Sequence, residues 1–155
     1  MSGRIDARLA QLSIELPTPP APVAAYVPYV QTGNLVFISG QVSFLGDDKS
    51  STGKIDAELT PEQGYQAARN SALNTLAHLK NACGGDLDRV TRCVSLRIYV
   101  ASVADFTGQP AVANGASELF GEVFGDAGKH SRAAVGVTAL PLNCAVEVES
   151  VWEIT

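Results

Sequence analysis

HSRAAVGVTALPLNCAVEVESVWEI, residues 130–154, is the stretch whose reading decides the fold. It divides into two extended runs joined by a short turn at Leu140-Pro141-Leu142-Asn143. The second run alternates, with Val146, Val148 and Trp152 on one side of a pleat and Glu147, Glu149 and Glu153 on the other. The first run opens with Arg132, and no other charge appears from Ala133 to Leu142. A guanidinium beside apolar strand costs desolvation energy unless an anion meets it, and its planar fork suits two carboxylate oxygens. Arg132 is thus a candidate ligand anchor, with a structural ion pair at a strand end as the competing reading. Glu147 carries the same ambiguity, because a polar outer face accounts for alternating carboxylates without any function.

Working outward, Thr60-Pro61-Glu62-Gln63 supplies an N-cap, a proline at the first helical position and a capping-box glutamine. Tyr65, Ala68, Ala72, Leu76 and Leu79 continue a helical stripe that Gly84-Gly85 ends. A strand follows at residues 92–100, with Val94, Leu96, Ile98 and Val100 set against Cys93, Ser95, Arg97 and Tyr99. A second helix is predicted from Pro110 to Phe124, with Ala113, Ala116, Phe120 and Val123 inward and Gly125 as its stop. Upstream, Tyr26 to Thr32 and Leu35 to Ser39 read as a hairpin turning at Gly33-Asn34. Residues 45–53 form a polar loop, with room for a short third strand on either side. Ile5, Leu9 and Leu12 predict a short N-terminal helix, and the proline-rich residues 16–22 an extended connector.

The element order ββ(β)αβαββ is an α+β layer with both helices on one face of the sheet. No change of composition divides the chain, so residues 1–155 read as a single domain, of which 1–22 are the helix and connector. Val36-Phe37-Ile38 and residues 133–140 are apolar on both sides of the pleat. Two helices cover only one face, so the other is expected to meet further copies of the chain.

Bulk properties exclude several classes. Of the 155 residues 46% are hydrophobic and 17% charged, and the net charge is −5 without a basic cluster. That balance argues against a nucleic-acid footprint. No apolar run approaches the roughly 18 residues of a membrane span, and the N-terminus lacks a signal-peptide core. Three scattered cysteines suit neither a disulfide framework nor a zinc site, which makes a cytoplasmic location the expectation. His78 reads as solvated on the first long helix and His130 as a surface residue; two histidines without convergent carboxylates do not make a metal site. Ser39 precedes Gly40, but no nucleophile elbow surrounds it.

Taken together, Gly33-Asn34-Leu-Val-Phe-Ile-Ser39-Gly40-Gln41, Ser131-Arg132-Ala-Ala-Val, Leu140-Pro141 and Val146-Glu147-Val148-Glu149 resemble the Rid/YjgF family, also described as endoribonuclease L-PSP. The resemblance spans about residues 23–154 and suggests a divergent, longer branch. It implies a chorismate-mutase-like fold assembled as a homotrimer around a barrel-like core, with clefts between subunits. It further implies hydrolytic deamination of reactive 2-enamino and 2-imino acids to 2-oxo acids and ammonia, with no metal or organic cofactor. By the same resemblance, Arg132 grips the substrate carboxylate and Glu147 holds the attacking water. Tyr26, Ser39 and Asn114 line the pocket. Ala134 stands where the family often carries a cysteine, which implies a roomier, more apolar pocket. A trimer that binds small carboxylates without turnover is the alternative reading. An RNA-cleaving translation inhibitor fits the acidic balance poorly.

Overall fold

The computed structural model describes residues 3–22 and 24–155. Val23, where the family-like segment begins, lies outside the described residues, as do Met1 and Ser2. The elements are α1 (Arg4–Gln11), β1 (Tyr29–Thr32), β2 (Leu35–Val42), α2 (Pro61–Ala82), β3 (Val90–Ala101), α3 (Gln109–Phe124), β4 (Ser131–Val137) and β5 (Val146–Ile154). Among the described residues the strands form one five-stranded sheet in the order β1-β2-β5-β3-β4.

Local chemistry explains the element ends. The Thr60 side chain accepts from the Gln63 amide while the Gln63 side chain accepts from the Thr60 amide, completing the capping box at the start of α2. Gly33 turns the β1–β2 hairpin with a φ of +59°, where a side chain would be strained. Helix α1 has no side-chain cap of its own. Its free Arg4 and Ile5 amides donate instead to the Asp88 carboxylate, at 2.7 Å each, across more than eighty residues of sequence. Those two donors hold the Asp88 carboxyl below the ordinary aspartate range.

Helices α2 and α3 cover one face of the sheet, as the pattern predicts. Leu96, Ile98, Val146, Val148 and Trp152 are buried beneath them together with Ala72, Leu76, Ala116 and Phe120. Trp152 anchors this layer: the Phe120 ring meets it edge-on at 4.9 Å, and its indole N–H donates to Ser150 Oγ at 2.9 Å.

The structure corrects five expectations about the fold. The two C-terminal strands are not neighbours. β4 runs parallel beside β3 at the sheet edge, and β5 is inserted between β2 and β3. Residues 45–53 contain no strand, only isolated bridges such as Thr52 to Cys144. β1 begins at Tyr29 rather than Tyr26, because Pro28 precedes it and its carbonyl is taken by the Ser39 amide. In β3 the register slips between Cys93 and Ser95, so Cys93, not Val94, turns into the core. His78, read as solvated, is only 3% exposed, and its burial lowers the imidazole below its ordinary range.

Candidate functional site

Arg132 is the second residue of β4 and lies opposite Leu96, which is buried beneath the helices. Its side chain therefore leaves the sheet on the helix side, where α3 receives it. Nη1 donates to Asn114 Oδ1 at 2.7 Å and to Ser117 Oγ at 3.1 Å, and Nη2 makes a long contact of 3.4 Å to the Pro110 carbonyl. Asn114 and Ser117 are one helical turn apart, so a single face of α3 presents both acceptors. Among the described residues no carboxylate lies within ion-pair distance of Arg132. The described residues thus offer no structural ion pair of the kind considered from sequence. With both Nη1 hydrogens committed, the edge formed by Nε and Nη2 is the fork left for an anion. Ala134 follows on the same side, half-buried against the core.

Glu147 sits opposite Tyr99 and Val42, on the face turned away from the helices. Its acidic neighbour Glu149 is salt-bridged: Arg97 Nη1 pairs with Glu149 Oε1 at 3.0 Å, and the Tyr99 hydroxyl donates to the same oxygen at 3.1 Å. Partial burial pushes the Glu147 carboxyl above the ordinary glutamate range, and the Glu149 charge adds to the effect. Two carboxylates spaced i, i+2 thus acquire different surroundings, one salt-bridged and one not.

The Ser39-Gly40 pair sits where β2 loses register with β5, between Ile38 and Gln41. Glu147 crosses Gly40 closely: a Cβ at position 40 would stand 2.2 Å from Glu147 Oε1 and 3.0 Å from its Cδ, so a side chain there would move the carboxylate. Ser39 Oγ donates to the Val27 carbonyl at 2.7 Å, which pins the segment carrying the exposed Tyr26 against this end of β2. Beside it, Val30, Phe37, Ser39, Arg97, Glu149 and Val151 border a shallow depression of about 340 Å³ on the open face. Phe37 is 45% exposed within it.

The structure therefore assembles the predicted residues into two groups. Arg132, Asn114 and Ala134 meet at the helix-side edge, and Glu147 crosses the Ser39-Gly40 bulge on the open face, with the exposed Tyr26 one residue from the Val27 carbonyl that Ser39 holds. It does not bring Arg132 and Glu147 together within one chain. Three further residues belong to these groups. Gly40 belongs with Glu147, and Ser117 and His130 belong with Arg132. His130 is half-buried rather than a surface residue, and its ring bonds to Ser117 Oγ at 2.8 Å and to the Gly128 carbonyl at 2.6 Å. Its two-residue spacing from Arg132, which places both on one side of an extended segment, is the signal in the sequence that pointed there. Among the described residues no group of three His, Cys, Asp or Glu side chains is placed to hold a metal ion. No described helix is long and apolar enough to cross a membrane.

The chain is an α+β layer with helices on one face; among its described residues the Arg132 guanidinium at the sheet edge and the Glu147 carboxylate on the open face are in no ion pair. The family model described as "YjgF/chorismate_mutase-like, putative endoribonuclease" matches residues 6–153, and the chain belongs to that family. It is similar to Protein TCP17 of Trypanosoma cruzi, 45% identical over 99% of this chain and 96% of that one. It is also similar to a 2-iminobutanoate/2-iminopropanoate deaminase of Dermatophagoides farinae, 28% identical over 89% and 92% of the two chains. A solved structure of unknown function from Agrobacterium tumefaciens superimposes with a TM-score of 0.90 at 40% identity, covering 97% of this chain and 92% of that one.

Proposed function

We propose that the protein hydrolyses reactive 2-imino and 2-enamino acids to 2-oxo acids and ammonia, in clefts formed where copies of the chain meet in a homotrimer. The observation that carries this reading is the Arg132 guanidinium, braced by Asn114 and Ser117 and without a carboxylate partner among the described residues. A substrate carboxylate would lie across the Nε–Nη2 edge, fixing the adjacent C=N carbon in register. Ala134, two residues along the same side, would border the substrate side chain.

The imine carbon is already electrophilic, so the reaction needs a positioned water more than a strong nucleophile. Glu147 accepts a proton from that water as its oxygen bonds to the carbon. That proton passes to the nitrogen to give a carbinolamine; the new hydroxyl then yields its proton, through Glu147, to the amino nitrogen, the C–N bond breaks, and ammonia leaves as the C=O of the oxo acid forms. General-base assistance of this kind contributes about 10²–10⁴-fold. A carboxyl raised by burial is the better proton carrier near neutral pH. Tyr26 and Ser39 shape the same half of the cleft. Because the two halves project from opposite sides of one sheet, a second copy must supply Glu147 to the Arg132 of the first. The name of the mite relative supports the reaction class. The net charge of −5 speaks against RNA as substrate.

The test generates imines from a panel of amino acids with a flavin amino-acid oxidase and follows their disappearance by semicarbazone formation. Wild-type protein is expected to accelerate imine loss. Arg132→Lys, which keeps the charge but loses the fork, is expected to abolish the acceleration. No acceleration with any imine would overturn the deaminase reading in favour of a carboxylate-binding trimer.

A further inference from the structure

We propose that His130 is a positioning residue for Arg132, acting through the Ser117 hydroxyl to lock the guanidinium with its Nε–Nη2 edge free for a carboxylate. The proposal rests on the carboxylate-anchoring reading of Arg132 given above.

The direction of every hydrogen bond in the cluster follows from one fixed point. The Gly128 carbonyl can only accept, so His130 Nδ1, 2.6 Å away, carries the proton. Burial lowers the imidazole below its ordinary range, outweighing the Gly128 bond that favours the charged ring, and the Arg132 charge lowers it further. The ring is therefore neutral at pH 7, and Nε2 is a bare lone pair. Ser117 Oγ, 2.8 Å from Nε2, must give its single hydrogen to it. The Ser117 oxygen is then left with lone pairs only, one of which accepts from Arg132 Nη1 at 3.1 Å. The second Nη1 hydrogen goes to Asn114 Oδ1 at 2.7 Å. The resulting chain of donors runs one way, from Arg132 through Ser117 and His130 to the Gly128 carbonyl. The Phe120 ring meets the imidazole edge-on at 6.4 Å and an interplanar angle of 84°, which holds the plane of the ring.

Any other state of His130 breaks the chain. The opposite tautomer would aim an N–H at Ser117 and leave the Gly128 carbonyl facing a lone pair. A charged ring would place a second cation beside Arg132, with both demanding the same oxygen. Among the described residues Arg132 is the charged group that acts on the ring, and Lys129 in the preceding turn is paired with Asp126. Such outer partners typically change ligand affinity by about 10–100-fold when removed, as they do behind metal ligands.

Two measurements test this on the full-length protein. Long-range ¹⁵N–¹H correlation spectra at pH 7 should show His130 as the neutral Nδ1–H tautomer. An Nε2–H tautomer or an imidazolium at that pH would overturn the proposal. Calorimetric titration with pyruvate, a 2-oxo acid that needs no turnover, should show affinity about tenfold weaker in Ser117→Ala and in His130→Leu. His130→Gln, whose amide oxygen still accepts from Ser117, should recover most of the loss, which a merely space-filling role would not produce. In imine hydrolysis the same variants should raise KM with kcat little changed. Full turnover with unaltered pyruvate affinity in Ser117→Ala would overturn this proposal alone. Weakened pyruvate affinity in a protein that hydrolyses no imine would overturn the deaminase reading and leave this one standing. A wild-type protein without pyruvate affinity would overturn this proposal, while imine hydrolysis would still decide the deaminase reading.

Discussion

Arg132 and Glu147 project from opposite faces of the same sheet. Arg132 pairs in register with Leu96, under the helices, and Glu147 with Tyr99, on the open face. Side chains three residues apart on a regular strand cannot share a face, so no rotamer lets these two act on one ligand within one chain. If they act together, they do so across copies. Arg132→Ala and Glu147→Gln should each be inactive in imine hydrolysis. Co-assembled in equal amounts, they should recover about a quarter of wild-type activity, the fraction of random interfaces that receive both intact residues. Differently tagged chains purified as mixed assemblies provide the measurement, and absence of recovery would exclude the shared cleft.

Gly40 gives a second test, aimed at Glu147 without changing its chemistry. A methyl group at position 40 would sit inside the space of the Glu147 carboxylate. Gly40→Ala should therefore displace that carboxylate by about 1 Å and reduce kcat about 100-fold while KM moves little. Steady-state kinetics with a single imine separates the two parameters. An unaltered kcat would remove Glu147 from the chemistry.

The buried histidines set a pH dependence of stability. Burial lowers the His78 imidazole below its ordinary value near 6.5, against an opposing bond to the Pro20 carbonyl, and His130 shifts the same way. The unfolded chain thus takes up these protons at a higher pH than the folded one. Stability should be greatest above pH 6.5 and decline as the pH falls through that value toward the folded-state pKa values. Glu147, raised by burial, acts in the opposite sense between its ordinary and its folded pKa. Urea midpoints at pH 7.5 and 5.5 are best compared in Glu147→Gln, where that contribution is gone. His78→Gln should then flatten the remaining slope.

Thr60 tests local stability apart from function. Its hydroxyl oxygen accepts the Gln63 amide at 3.2 Å at the start of α2, the longest helix. Thr60→Ala should cost about 1 kcal/mol. The midpoint of thermal unfolding should fall by about 2–4 °C for a chain of this size. Differential scanning calorimetry measures the shift, and imine hydrolysis at 25 °C should be unchanged.

The sequence by itself determined the features that depend on near neighbours along the chain. The Thr60–Gln63 capping box, the Gly33 turn, the period of α2 and α3 and the alternation of β5 all rest on contacts within a few residues, and each was legible. The family was legible too, because its motifs are short runs around such turns. Tertiary structure alone decided what depends on partner strands. The insertion of β5 between β2 and β3, the slip at Cys93 that reverses the phase of β3 and the burial of His78 come from long-range pairing that no local pattern encodes. The same is true of the site. Arg132, Asn114, Ser117 and His130 converge because β4 lies parallel to β3 at the edge beside α3. Glu147 is carried to the other face by the parity of a strand two positions away in the sheet.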